Sequence, residues 1–425
     1  MTKKSKSHNA RKDFIWNALG LTLNACNSLL FLIVVRFING LDVAGIFTYA
    51  FALCIFLYAF VTYYNRSFQV SDAKDRFSFG DYLVCRLTTS TVGFIFILIF
   101  ALASGLSFFE IGIILLLTVF RIVEAISDCF YGAIQKKSKL YQTGISLSLK
   151  AVFGLLFFFL VDFFTTDLTL ALVALILVNV LFFIFYDLKN YRRLYTNKIK
   201  FTTTNLRPIL KTCLPVAVFS MLAIYLTNCQ KYILPYFEPN ETQAIFGILI
   251  MPATVLGLIG SYLINPFINI LTKHHTEKNY SRFISSSQKL LLSLAGIGVV
   301  ILIACFFIGI PLLELIFQLD LSLYRDALQL IILASIFYAA TMIISSLLTI
   351  LGENRRQTYV YFAAAIAATA IAILLVPSLG ILGAVYSFLI SSLILIALYI
   401  ILLQLQLHKI KTTTTKTNTP RNPSS

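Results

Sequence analysis

Long apolar runs alternate with short polar breaks along this chain, and the runs have the length of membrane spans. A spanning helix needs about 20 mostly apolar residues. Runs of that size are predicted at 14–36, 43–64, 81–103, 108–133, 142–162, 168–188, 209–232, 243–270, 288–310, 325–350, 357–376 and 380–407. The pattern therefore predicts an all-α polytopic membrane protein with twelve spans. Two runs match the pattern least: the third opens with Arg86 near one end, and the fourth carries Arg121, Glu124 and Asp128.

Charge tests the count independently, because cytoplasmic loops carry an excess of Lys and Arg. When the breaks are assigned alternately to two sides, 28 of the 34 basic residues fall on one side. They include Lys3 to Lys12 at the N-terminus, Arg66 to Arg76, Lys136 to Lys139, Lys189 to Lys211, Lys273 to Lys289, Arg355 and Arg356, and Lys409 onward. The opposite breaks are short and almost without cations: none lies in Gly105–Phe108 or Pro377–Gly380, and Asp162–Asp167 holds two acids. A wrong count would scramble this alternation. Both termini are expected in the cytoplasm, in a multi-pass protein of a bacterial cytoplasmic membrane.

The longest basic break predicts the organisation. It separates an N-terminal lobe, 1–188, from a C-terminal lobe, 209–407, through a basic linker at 189–208, and a polar tail expected to be disordered closes the chain at 408–425. A faint internal echo agrees with two six-helix lobes. Asp42-Val-Ala-Gly-Ile-Phe47 enters the second run much as Glu241-Thr-Gln-Ala-Ile-Phe246 enters the eighth, as parallel repeats would produce.

Composition narrows the function classes. With 59% hydrophobic and 12% charged residues and a mean hydropathy of +0.87, the chain lies far from soluble domains, in which about 25% are charged. The net charge of +16 lies in short breaks rather than on a folded polar face, so it points to anionic lipid headgroups and not to nucleic acid. The seven cysteines show no metal-ligand spacing, and the four histidines (His8, His274, His275 and His408) lie in the basic breaks. No enzyme or cofactor motif occurs. Transport is expected rather than covalent chemistry.

Ionisable groups inside the apolar runs are the candidate site, since each costs a few kcal/mol in lipid and normally faces a protein interior or an aqueous path. Arg121 lies near mid-depth, with Glu124 and Asp128 at i+3 and i+7 on one helical face. Lys150 lies eight residues into the fifth run, about 12 Å along a helix, and a Lys150–Asp128 pair is within geometric reach. Two readings are open. Arg121 with Glu124, and Lys150 with Asp128, act as glue between helices. Alternatively Arg121, Lys150, Arg86 and Arg36 present positive charge to an anionic cargo, while Glu124 and Asp128 pair with them or take protons. Arg36 and Arg86 lie nearer span ends, where long side chains also reach headgroups. In the second half the mid-span polar groups are mostly neutral, among them Asn228, Gln230, Asn265 and Asn269, with Lys231 close to the outer end.

Four segments carry a family resemblance: NALGLTLNACNSLLFLIVVRFINGLDVAGIFTYAFAL, FRIVEAISDCFYGAIQKK, GIPLLELIF and PSLGILGAVYSFLISS. They resemble the polysaccharide exporter branch of the multidrug, oligosaccharidyl-lipid and polysaccharide flippase superfamily, over roughly residues 11 to 407. The resemblance implies two six-helix lobes around a central cavity that opens alternately to each face. It implies a cargo of undecaprenyl-pyrophosphate-linked oligosaccharide repeat units, membrane lipids as surroundings, and a polysaccharide polymerase and assembly proteins as partners. It supplies no motif for Arg121 or Lys150. A peptidoglycan-precursor flippase, which usually has about two more spans, and a drug or cation antiporter, which presents uncompensated acids, are the alternatives. A polysaccharide polymerase needs a larger external loop than the one from about Pro311 to Tyr324.

Overall fold

The computed structural model describes residues 3–417 apart from 73 and 197. The tail end 418–425 with Arg421, and the side chains of Lys3 to Arg11, Asn265, Lys411 and Lys416, lie outside the described residues. By packing, Met1–Gly247 and Ile248–Ser425 form two compact units. The division at 189–208 into six-helix lobes stays a proposal about repeats rather than about packing.

The first unit holds α1 (Lys3–Asn39), α2 (Leu41–Thr62), α3 (Asn65–Ser71), α4 (Phe79–Ala103), α5 (Phe108–Lys136), α6 (Leu140–Thr165) and α7 (Leu168–Phe182). A π-helical turn, Phe183–Leu188, joins α7 to α8 (Lys189–Leu194), followed by α9 (Leu206–Ile233) and α10 (Asn240–Leu249), whose last two residues fall beyond the bound at Gly247. Local sequence sets the starts. Ser78 and Ser107 each accept from the amide three residues on, while Asp81 and Glu110 return the bond, a capping box that satisfies two orphan donors at each end. Asp167 caps α7 by accepting from the Thr169 amide.

Small residues decide the closest helix approach. The Gly20 Cα faces the Gly144 carbonyl, and Gly144 lies directly against the Trp16 and Asn17 backbone, where a side chain would overlap main-chain atoms. Asn27 Nδ2 donates to Ala151 O at 2.9 Å along the same α1–α6 seam. The two segments of the sequence echo lie against each other. The starts of α2 and α10 meet, with Asn240 Nδ2 donating to Asp42 Oδ1 at 3.0 Å and Gly45 packed on the Asn240 backbone.

Between α3 and α4 the chain turns around Asp72, which is buried. Its Oδ2 accepts from the Phe77 amide at 3.1 Å and the Tyr82 hydroxyl at 3.0 Å. Burial pushes its pKa up, but those bonds, the Arg76 amide and the Lys136 charge outweigh it and hold the carboxyl below its ordinary value.

The second unit holds α11 (Met251–Thr276), α12 (Tyr280–Ala304), α13 (Ile310–Phe317), α14 (Arg325–Ile350) and α15 (Asn354–Thr417), with a π-helical turn at Cys305–Gly309. Leu271, Phe283, Leu290, Ile343 and Leu347 form its core. Its buried polar centre is neutral: the Gln357 amide meets Ser345 Oγ at 2.6 Å and Thr349 Oγ1 and Tyr399 Oη at 3.2 Å. The last helix is two helices joined at Gly380 (φ 56°, ψ −128°), after Pro377. It runs on to Thr417, through the first part of the polar tail.

Nine helices among the described residues are long and apolar enough to cross a membrane. The reading of twelve also counts the charged α5, the broken α10–α11 stretch, and the two arms of α15 separately. Gly144→Val forces α1 from α6, and overpacking of this kind costs typically about 1–3 kcal/mol. A lowered midpoint of thermal unfolding in detergent is expected; an unchanged midpoint would show that the seam tolerates separation.

Candidate functional site

One group of charges in the first unit converges on a face of α5. At 3.6 residues per turn, Ser127, Glu124, Tyr131, Gln135, Asp128 and Arg121 share an arc of about 120°. Ser127 and Asp128 lie about 100° apart, near its two edges. That spacing sorts the partners.

The Asp128 edge faces α3 and α4. Arg66 on α3 donates to Asp128 Oδ1 at 2.9 Å and to Gln135 Oε1 at 3.0 Å. Arg86 on α4 is 0% exposed and donates to Asp128 Oδ2 at 3.1 Å and to Val61 O at 3.1 Å. One carboxylate thus answers two guanidinium groups and ties three helices together.

The Ser127 edge faces α6. Lys150 Nζ donates to Ser127 Oγ at 2.7 Å, Tyr131 Oη at 3.2 Å and Asp187 Oδ2 at 2.6 Å. Ser146 Oγ donates to Asp187 Oδ1 at 2.5 Å. Lys150 and Asp187 are 7% and 1% exposed, so this ammonium and carboxylate are withdrawn from solvent together, and the three ammonium donors are all used. The expected Lys150–Asp128 pair does not form. Asp128 points away from α6 by more than a quarter turn, and Lys150 meets Asp187 on the π-helical turn instead.

Arg121 is held differently. It donates to Glu124 Oε2 at 2.6 Å on its own helix and lies among aromatic faces, with the guanidinium carbon 4.7 Å from the Phe51 ring centre, 5.3 Å from Phe120 and 5.7 Å from Tyr58. Its Nε is buried without a partner. Such a box stabilises a cation through the ring quadrupoles and leaves donors unspent. Arg36, half-buried on α1, likewise has an Nε without a partner, and the structure does not bring it into the α5 network. Arg121 does pair with Glu124, but within α5, so that pair ties no two helices, and Lys150 and Asp128 each meet partners other than one another.

The network, among the described residues, counts four cations (Arg66, Arg86, Arg121 and Lys150) against three carboxylates (Glu124, Asp128 and Asp187). In the second unit the ion pairs among described residues are Lys273–Glu277 and Arg356–Glu353, all but Glu353 well exposed. Sequence reasoning missed Asp187, Arg66, Ser127, Tyr131 and Ser146. Asp187 sits at the end of an apolar run and Arg66 within a basic break, where both read as interfacial charges.

No family model matches the sequence. Over 391 residues the chain is 22% identical to the capsular polysaccharide biosynthesis protein CapF of Staphylococcus aureus, a match spanning 91% of this chain and 98% of that one. An inward-facing multidrug resistance MATE family transporter of the MOP superfamily superposes with a TM-score of 0.73 at 14% identity, over 94% of this chain and 99% of the other. The chain has the fold of that transporter. The lipid II flippase MurJ, in an inward closed conformation, gives 0.70 at 12% identity, over 97% and 93%. The all-α polytopic fold expected from the sequence is the fold of these proteins, and the resemblance to a polysaccharide exporter is matched by the curated relative.

Breaking a buried pair by removing one partner costs about 3–5 kcal/mol, whereas replacing both with apolar residues is often neutral. Asp187→Ala should therefore lower stability strongly, and Lys150→Met with Asp187→Leu should recover most of it, both read from thermal unfolding in detergent. Equal stability of Asp187→Ala and the unmutated chain would show that the pair does not hold α6 to the π-helical turn.

Proposed function

We propose that this protein is a flippase carrying undecaprenyl-diphosphate-linked oligosaccharide repeat units from the cytoplasmic to the outer leaflet of a bacterial cytoplasmic membrane, for surface polysaccharide biosynthesis. The observation that carries the reading is the end-to-end likeness to a capsular polysaccharide biosynthesis protein, in a fold shared with a lipid flippase. The α5 face supports it. A diphosphate is anionic, and guanidinium groups recognise phosphate well where water is scarce. A carrier of cations would be expected to present unpaired acids, whereas here each carboxylate of the network is already answered.

The six candidate residues divide by their commitments. Arg86 and Asp128 hold α3, α4 and α5, and Lys150 holds α6. Arg121 keeps spare donors and is the group we assign to the cargo phosphates, with Glu124 restraining it and Arg36 as a second cation. A polymerase and assembly proteins acting on the exported units are the expected partners. The likeness to MurJ favours a peptidoglycan precursor as the second reading.

Deletion should leave lipid-linked repeat units on the cytoplasmic leaflet, measured by leaflet-specific labelling in cells without a redundant flippase. Arg121→Ala should reduce export at least about tenfold, as expected for loss of a charge-assisted contact, while the protein still inserts. Normal arrival of units at the outer leaflet in the deletion strain would overturn the function; normal export by Arg121→Ala would overturn only the residue's role.

A further inference from the structure

A second polar concavity, separate from the α5 face, opens where α4 begins and α5 and α8 end. Its volume is about 900 Å³, within the range of about 300–1,000 Å³ typical of small-ligand sites. Five cations line it: Arg76, Lys136, Lys137, Lys198 and Lys200.

Their commitments differ. Lys136 is engaged by Asp75 at 2.5 Å and by Asp72 O at 2.9 Å, so it is spent. Arg76 is 3.5 Å from Asp72 and 63% exposed. Lys137 Nζ lies 4.9 Å from the Tyr195 ring centre. Lys198 and Lys200 are exposed and form no ion pair among the described residues. Their backbone is nevertheless fixed. Tyr195 Oη donates to Ala133 O at 3.0 Å, and Gly80 lies directly under the Lys200 carbonyl, with no room for a side chain between them.

The wall has the opposite character. Asp81, 3% exposed, accepts at Oδ2 from the Ser78 amide and hydroxyl, both at 2.8 Å. Its Oδ1 has no hydrogen-bond partner, nor has Oε1 of Gln69, which is 2% exposed. Buried acceptors without donors are costly. Neither acceptor has surface open to the cavity, and Gln69 Oε1 packs on Gly132 of α5, so the rim cations set the ligand, and they suit a phosphate. The first-turn amides of α4 add partial positive charge beside the rim, which the Asp81 carboxylate offsets.

We propose that this cavity receives the glycosyl diphosphate headgroup of the cargo before translocation. The diphosphate lies on Lys137, Lys198 and Lys200. The inference rests on the lipid-linked substrate proposed above, and it places a loading site at the end that carries the basic loops.

The test is equilibrium binding of farnesyl-diphosphate-linked N-acetylglucosamine to the full chain in detergent, by titration calorimetry. Lys198→Ala with Lys200→Ala, both at exposed positions, should weaken binding about tenfold or more, as for loss of charge-assisted contacts. Lys273→Ala, at an exposed cation of the second unit, should leave binding unchanged. Equal affinity of the double variant and the unmutated chain would overturn the site while leaving the flippase reading intact. Equal or tighter binding of uridine-diphosphate N-acetylglucosamine would also overturn it, since the cavity would then be a nucleotide-sugar site.

Discussion

An ion inside a lipid-facing protein must have a partner, and that constraint organises the first unit. Even after relaxation, desolvating a charged side chain costs several kcal/mol. The chain meets this cost for one group of interior charges on one face of α5, to which α3, α4, α6 and the π-helical turn bring charged partners. Asp128 gathers Arg66 and Arg86; Ser127 and Tyr131 gather Lys150 with Asp187. The helices α3, α4, α6 and the π-helical turn are thereby located relative to α5 by directional bonds, which dispersion between apolar side chains would leave less specific.

The π-helical turn has a physical role in this arrangement. A π turn inserts an extra residue into the helical ladder and rotates the next stretch of helix about its axis. Phe183–Leu188 is such a turn, and it carries Asp187. The shift brings a carboxylate at the end of a long apolar helix to the ammonium of Lys150. Arg121 is the contrasting case: it is stabilised by rings and by one carboxylate of its own helix, so it retains hydrogen-bonding capacity that the framework does not consume.

Much of the fold was legible in the sequence because membrane spans are written in runs of one chemical kind, and helix starts in serine–acid pairs such as Ser78/Asp81 and Ser107/Glu110. The face shared by Arg121, Glu124 and Asp128 was legible for the same reason, since helical periodicity is local. The partners were not. Whether Lys150 meets Asp128 or Asp187 depends on the azimuth at which α6 docks on α5, and on a π turn that no residue pattern announced. Arg66 looked like a loop cation because left-handed residues at Tyr63 and Tyr64, which redirect the chain into α3, leave no mark in hydropathy.

The central claim is that a cationic, partly uncommitted helix face serves an anionic lipid-linked cargo. Its most direct test is transbilayer movement in proteoliposomes containing the purified chain, comparing a fluorescent polyprenyl-diphosphate-linked sugar with the same sugar on a neutral glycerolipid. The account predicts rapid protein-dependent movement of the diphosphate-linked sugar and none of the neutral one. Equal movement of both lipids would contradict it.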